Sequence, residues 1–89
     1  MRKQIAAANW KMNLTFQQAE KLVEELVATK YVLNENRRVV LGVPFPYLSA
    51  ISANVKNLEN MEIAAQNCSD KKLGAYTGET SVEMLKSIG

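Results

Sequence analysis

A short polar segment that could bind an anion directly follows an apolar run near the start of the chain. Ile5 to Ala8 is uninterrupted apolar sequence, and residues 9–13 then read NWKMN. A turn requires neither an indole nor an ammonium, and an unpaired ammonium is too costly to bury in a core. We therefore expect Lys11 to meet an anionic ligand. We expect Trp10 to pack, because its large apolar ring can anchor a loop.

Three apolar runs predict the strands that position this segment. Ile5–Ala8 is short and continuous, which is typical of a strand with both faces buried. Arg38–Val43 is rich in β-branched residues and follows a polar loop at residues 34–37, and proline at positions 44 and 46 ends it. Met61–Ala65 is a third, weaker strand.

Helical patterns follow each of these strands. The first helix begins at a capping box, Thr15–Gln18, and the second near Pro46, which suits a first helical turn. The third begins at a second capping box, Thr80–Glu83, and ends near Gly89. The apolar faces predicted for the three helices are, in order, Ala19, Leu22, Val23, Leu26 and Val27; Leu48, Ile51 and Val55; and Val82, Met84, Leu85 and Ile88.

The order β-α-β-α-β-α in units of roughly 30 residues predicts a parallel sheet with right-handed crossovers. Ligands of such folds bind at the carboxyl ends of the strands, where Asn9 and Lys11 lie. A polar loop at residues 66–79 separates the third strand from its helix, and loops of this length are usually functional or disordered. Gly74 and Gly78 within it match no phosphate-binding glycine spacing.

Composition excludes several classes of protein. The 89 residues fit at most one small domain, and the net charge of +2 is spread without a basic, aromatic-rich cluster, so nucleic acid is not an expected partner. Cys68 is the single cysteine, which excludes an internal disulfide and suits a reducing compartment; we expect a buried structural thiol. There is no membrane-spanning apolar run, so we expect a cytoplasmic protein. We assign no metal site, and the sequence contains no histidine.

Three motifs in this order and spacing resemble the triosephosphate isomerase family: ANWKMN at 8–13, AAQNC at 64–68 and GAYTGE at 74–79. The resemblance covers essentially the whole chain. It implies that residues 1–89 form one partial domain, the first three βα units (β1α1β2α2β3α3) of a (β/α)₈ barrel whose usual size is about 250 residues. It also implies interconversion of dihydroxyacetone phosphate and glyceraldehyde 3-phosphate through an enediolate, without a cofactor.

The resemblance assigns roles to particular residues. Lys11 would be a catalytic cation that faces the substrate's negative charge, and Asn9 would bind the substrate near its reacting oxygens. The tip of the 66–79 loop, with Tyr76 and Gly78, would insert into a second subunit of a homodimer. Thr77 would then lie near Asn9 of the partner subunit, and Glu79 would form an ion pair between the subunits.

The family's catalytic histidine and glutamate follow the fourth and sixth strands, so both are expected beyond Gly89. The 89-residue chain alone is therefore predicted to be inactive. Two alternatives remain open at this point: a piece of another sugar-phosphate barrel, which fold alone would permit, and a non-catalytic βα module that self-associates.

Overall fold

The computed structural model describes residues 4–28, 36–56, 58 and 60–89, and within them it places helices and strands in the predicted order. Residues 34 and 35 of the predicted loop lie outside these ranges. The elements are β1 (Gln4–Asn9), α1 (Phe16–Ala28), β2 (Arg37–Val43), a 3₁₀ turn (Phe45–Tyr47), α2 (Leu48–Val55), β3 (Met61–Ala65) and α3 (Val82–Ser87).

The described strands form one parallel sheet in the order β1-β2-β3, as predicted. Ala6 pairs with Val39, which pairs with Met61, so these three residues share a face; Ala7, Val40 and Glu62 share the other. Because side chains alternate along a strand, this register fixes which residues can meet.

The core lies between one face of β2 and β3 and the helices α1 and α2. Ala19, Val23 and Ile51 are fully or almost fully buried, and they pack in one cluster with Leu41 and Val43 of β2. The buried residues of α2 are Leu48, Ile51 and Val55, which confirms the predicted apolar face. On α1 the prediction was too broad, because Val27 is 41% exposed beyond the edge of this cluster.

The capping residues of α1 were predicted correctly from the sequence, whereas the N-cap of α3 was not. At α1 the predicted capping box is present: the Thr15 N–H donates to Gln18 Oε1 (2.9 Å), and the Gln18 N–H donates to Thr15 Oγ1 (3.3 Å). At α3 the predicted N-cap, Thr80, was wrong by one residue. The N-cap is Ser81, whose Oγ accepts from the Met84 N–H at 3.2 Å.

The sheet face turned away from the helices is open. Ile5 on this face is 61% exposed, and all six residues of β1 are exposed. The expectation that both faces of the first strand are buried was therefore wrong for this chain. The reason is positional: β1 is an edge strand, and the buried core lies over β2 and β3. Arg38 and Glu62 form an ion pair on the open face.

The third helix and the loop before it carry exposed apolar side chains. Val82, Met84 and Ile88 are at least 41% exposed, so the predicted apolar face of α3 is largely uncovered, with Leu85 as its contact to the core.

Residues 66–79 contain neither helix nor strand, which confirms the predicted loop. Among the described residues, no helix has the length and apolarity needed to cross a membrane.

Candidate functional site

The carboxyl ends of the three strands surround a cleft of about 460 Å³. The cleft is lined by segments that come shortly after each strand: residues 11–14 after β1, residues 44–47 after β2, and residues 66 and 67 after β3. The parallel register brings these segments to one edge of the sheet. The cleft therefore lies where ligands of parallel α/β folds bind.

Lys11 is the one ionised side chain among the described residues that line this cleft. It is solvent-exposed, and its backbone has a φ of +55°, in the left-handed region that residues other than glycine rarely adopt. The Lys11 N–H donates to Asn9 Oδ1 at 2.9 Å. The structure thus brings Asn9 and Lys11 together, because the Asn9 side chain closes a short turn with the lysine backbone. Asn9 itself is not among the described residues that line the cleft.

The rest of the β1–α1 loop is held by polar and aromatic contacts. Asn13 Nδ2 donates to the carbonyl oxygen of Trp10 at 2.8 Å, and Tyr47 Oη donates to the carbonyl oxygen of Leu14 at 2.8 Å. The rings of Tyr47 and Phe16 are 5.8 Å apart between centroids. Trp10 is half-buried against the core, as expected of a packing residue. The wall of the cleft is therefore attached to the 3₁₀ turn.

Gln66 joins the three strand ends, and sequence reasoning assigned it no role. Its Nε2 donates to the carbonyl oxygen of Lys11 (3.1 Å) and to that of Gly42 (2.9 Å). The Gly42 oxygen also accepts from the Trp10 N–H at 3.0 Å. The only sequence signal was indirect: Gln66 lies within AAQNC and directly follows β3, at the edge where ligands bind.

The space beside Gly42 is limited but would admit a methyl group in ordinary van der Waals contact. A Cβ built at this position would lie 3.4 Å from the carbonyl oxygen of Ala8 and 4.0 Å from Cγ of Gln66. A larger group on the same face would therefore compete with the glutamine for the space between β1 and β3.

The predicted interface residues Tyr76, Thr77, Gly78 and Glu79 do not line the cleft at the strand ends. They form a separate turn in which the Glu79 N–H donates to the carbonyl oxygen of Tyr76 at 3.1 Å. The neck of the loop is closed by the Ser69 N–H, which donates to the carbonyl oxygen of Thr80 at 2.7 Å. All four residues are exposed, as a contact surface for a partner would be.

Cys68 is exposed, so the expectation of a buried structural thiol was wrong. It lies at the start of the 66–79 loop, beyond the end of β3, and its N–H donates to Asn67 Oδ1 rather than entering the sheet. Within the described ranges, no cluster of three or more acidic or cysteine side chains could hold a metal ion.

Comparison with known proteins identifies one family. A family model described as triosephosphate isomerase matches residues 4–89. Over the whole chain, the sequence is 45% identical to the triosephosphate isomerase of Porphyromonas gingivalis and 40% identical to that of Flavobacterium psychrophilum. In each case the chain spans about a third of the relative's length (35%). The triosephosphate isomerase of Mycoplasma mobile is 40% identical over 91 residues.

Proposed function

This chain belongs to the triosephosphate isomerase family, and on that premise we propose that it supplies the first three βα units of an enzyme that interconverts dihydroxyacetone phosphate and glyceraldehyde 3-phosphate. The observation that carries the proposal is the cleft at the strand ends, whose lining in the described residues includes a single cation, Lys11. Since these residues span about a third of the relatives' length, we assign activity to the protein that carries them at its full length.

Lys11 acts in this proposal as a fixed positive charge. The substrate carries a phosphate, and its carbonyl oxygen gains negative charge as the enediolate forms. A cation that is already in place when that charge develops stabilises the transition state without reorganisation. Asn9 uses only Oδ1 to hold the Lys11 N–H. Its Nδ2 can therefore donate to a substrate oxygen.

Proton transfer requires groups that this chain does not provide. In the family, the histidine and the glutamate base follow the fourth and sixth strands, whereas the described residues contain three strands and the sequence contains no histidine. Positioned acid–base groups each contribute typically ~10²–10⁴-fold to the rate. We therefore propose that the 89-residue chain alone is inactive.

The 66–79 loop is proposed to form the homodimer contact. Support comes from the exposure of Tyr76 (49%) and Leu73 (85%), because exposed apolar side chains grouped on one loop are typical of an interface. Thr77 would approach Asn9 of the partner subunit, with Glu79 in an ion pair and Gly78 at the turn. We propose a cytoplasmic location, which the single cysteine favours.

One observation favours a second candidate, a non-catalytic module that self-associates: the sheet face that carries Ile5 is open. A different sugar-phosphate barrel is disfavoured, because the family model matches nearly the whole chain and relatives reach 45% identity.

The experiment compares Lys11→Met with Lys21→Met in the full-length protein that carries this segment. Lys21 is exposed on α1, away from the cleft. We expect Lys11→Met to lower kcat/KM by about 10²–10³-fold, the typical loss for one preorganised electrostatic contact. Lys21→Met is expected to remain within about twofold of the wild type.

A coupled assay for both triose phosphates supplies the rates, and the isolated 89-residue chain is assayed beside the variants. Unchanged kcat/KM in folded Lys11→Met protein would remove Lys11 from the site. Turnover by the isolated chain above the buffer blank would show that three βα units suffice for catalysis. It would contradict the proposal that proton transfer needs a histidine and a glutamate from outside this chain.

A further inference from the structure

Both backbone polar groups of Lys11 are held by side-chain amides. Asn9 Oδ1 accepts from its N–H at 2.9 Å, and Gln66 Nε2 donates to its carbonyl oxygen at 3.1 Å. Between these contacts the residue has a φ of +55°. A left-handed conformation in a residue other than glycine or asparagine is unfavourable and persists only where the surroundings enforce it.

The chemistry of the two Gln66 contacts fixes what the side chain does. Both partners are backbone carbonyl oxygens, on Lys11 and Gly42, and a carbonyl oxygen can only accept. The amide NH₂ carries two donor hydrogens, one for each oxygen. Gln66 therefore links Lys11, the second residue after β1, to the end of β2, from a position just beyond β3.

We propose that Gln66 is a positioning residue that acts through Lys11. It holds the lysine's peptide in the left-handed conformation from which the ammonium is directed at the anionic substrate. The inference rests on the proposed function, since it assumes that Lys11 binds the substrate. It assigns Gln66 no contact with the substrate.

Global stability is not the main effect of these hydrogen bonds. Gln66 is exposed in the described chain, so water can satisfy the two carbonyl oxygens when the amide is removed. The linked carbonyls belong to residues 55 and 24 positions away in sequence. The contact thus fixes the relative position of strand ends, and displacements of about 1 Å near a catalytic site can cost on the order of 10²-fold in rate.

The test is a double-mutant cycle in the full-length protein. Gln66→Met keeps the approximate length of the side chain, removes both donors and adds no charge; it is made alone and together with Lys11→Met. Gln17→Met on the exposed surface of α1 is the matched control. Each protein is assayed for kcat and KM with both triose phosphates, and its Tm is measured.

We expect Gln66→Met to lower kcat/KM by about 10- to 100-fold, with Tm within a few degrees of the wild type and Gln17→Met unchanged. In the Lys11→Met background, Gln66→Met should lower kcat/KM by less than about threefold, because the ammonium that Gln66 positions is already absent. The four proteins of the cycle are also titrated with inorganic phosphate by calorimetry, so that the coupling is measured even where turnover falls to the blank.

The outcomes separate this inference from the proposed function. If Lys11→Met lowers kcat/KM but Gln66→Met does not, the positioning role is wrong and the function of Lys11 stands. Equal losses from Gln66→Met in both backgrounds would show a structural role that is independent of the lysine, which also overturns the inference. If Lys11→Met leaves kcat/KM unchanged, the proposed function of Lys11 is wrong, and the positioning role of Gln66 is wrong with it.

Discussion

The isolated 89-residue chain is expected to self-associate through its open sheet face, because its folded surface is too large for its mass. A compact monomer of 9.9 kDa exposes about 5,200 Å² by the general relation between surface and mass. This chain exposes 6896 Å², an excess of about 1,700 Å². Its Cα radius of gyration of 14.2 Å likewise exceeds the value of about 12 Å typical of this length.

The free energy involved is large beside the stability of a small domain. If about 55–60% of the excess is apolar, as on ordinary protein surfaces, its exposure forgoes on the order of 20 kcal/mol at about 25 cal/mol per Å². Native domains are stable by only about 5–15 kcal/mol in total. We therefore do not expect a stable monomer with this surface. We expect the chain to associate or to be loosely packed.

Two matched substitutions test which face is responsible. Ile5→Glu places a charge on the open face, opposite Arg38 in the register, so it is compatible with the sheet. Val27→Glu adds the same charge on α1, where the side chain is already 41% exposed. Sedimentation velocity over a range of concentrations measures association, and near-ultraviolet circular dichroism follows the thermal transition.

We expect Ile5→Glu to weaken self-association at least tenfold, because a carboxylate must be desolvated where an apolar side chain was buried, and Val27→Glu to have little effect. A sharp cooperative melt from a wild-type monomer that is independent of concentration would refute the surface argument. Equal weakening by both variants would refute the choice of face.

Two further outcomes are expected elsewhere in the molecule. Ser81→Ala should destabilise the full-length protein by about 1 kcal/mol through loss of the α3 N-cap, whereas Thr80→Ala should destabilise it clearly less. Chemical denaturation measures both free energies of unfolding. A larger loss from Thr80→Ala than from Ser81→Ala would show that Thr80 is the cap. Tyr76→Ala should raise the dimer dissociation constant by roughly 30-fold or more if the loop forms the interface, as measured by sedimentation, and an unchanged constant would place the interface elsewhere.

Sequence predicted well those features that depend on neighbouring residues. The Thr15–Gln18 capping box forms because both partners lie within one helical turn. The bounds of β3 and the buried face of α2 also followed from local periodicity. Asn9 and Lys11 could be placed at a strand end because the parallel order alone determines where strand ends meet.

The errors concern features that distant residues decide. In sequence, Thr80 fits the capping box better than Ser81, because Glu83 follows it three residues later. In the structure the Thr80 carbonyl is bound by the Ser69 N–H at the neck of the loop, and Ser81 caps the helix. The exposure of Ile5 and Cys68 depends on which segments pack over them in the folded protein. The hydrophobicity of neighbouring residues does not predict this. Gln66 was missed because its two acceptors are 24 and 55 residues away.

The ion pair between Arg38 and Glu62 has a consequence for the order of assembly. Both side chains remain partly solvated, at 31% and 54% exposure, and such a pair contributes at most about 1 kcal/mol in water. If later segments cover this face, the local dielectric constant falls, and separating the partners would then cost about 3–5 kcal/mol. Since β2 and β3 already neutralise the two charges, any segment that arrives later meets an electrically balanced surface and need not desolvate an isolated ion.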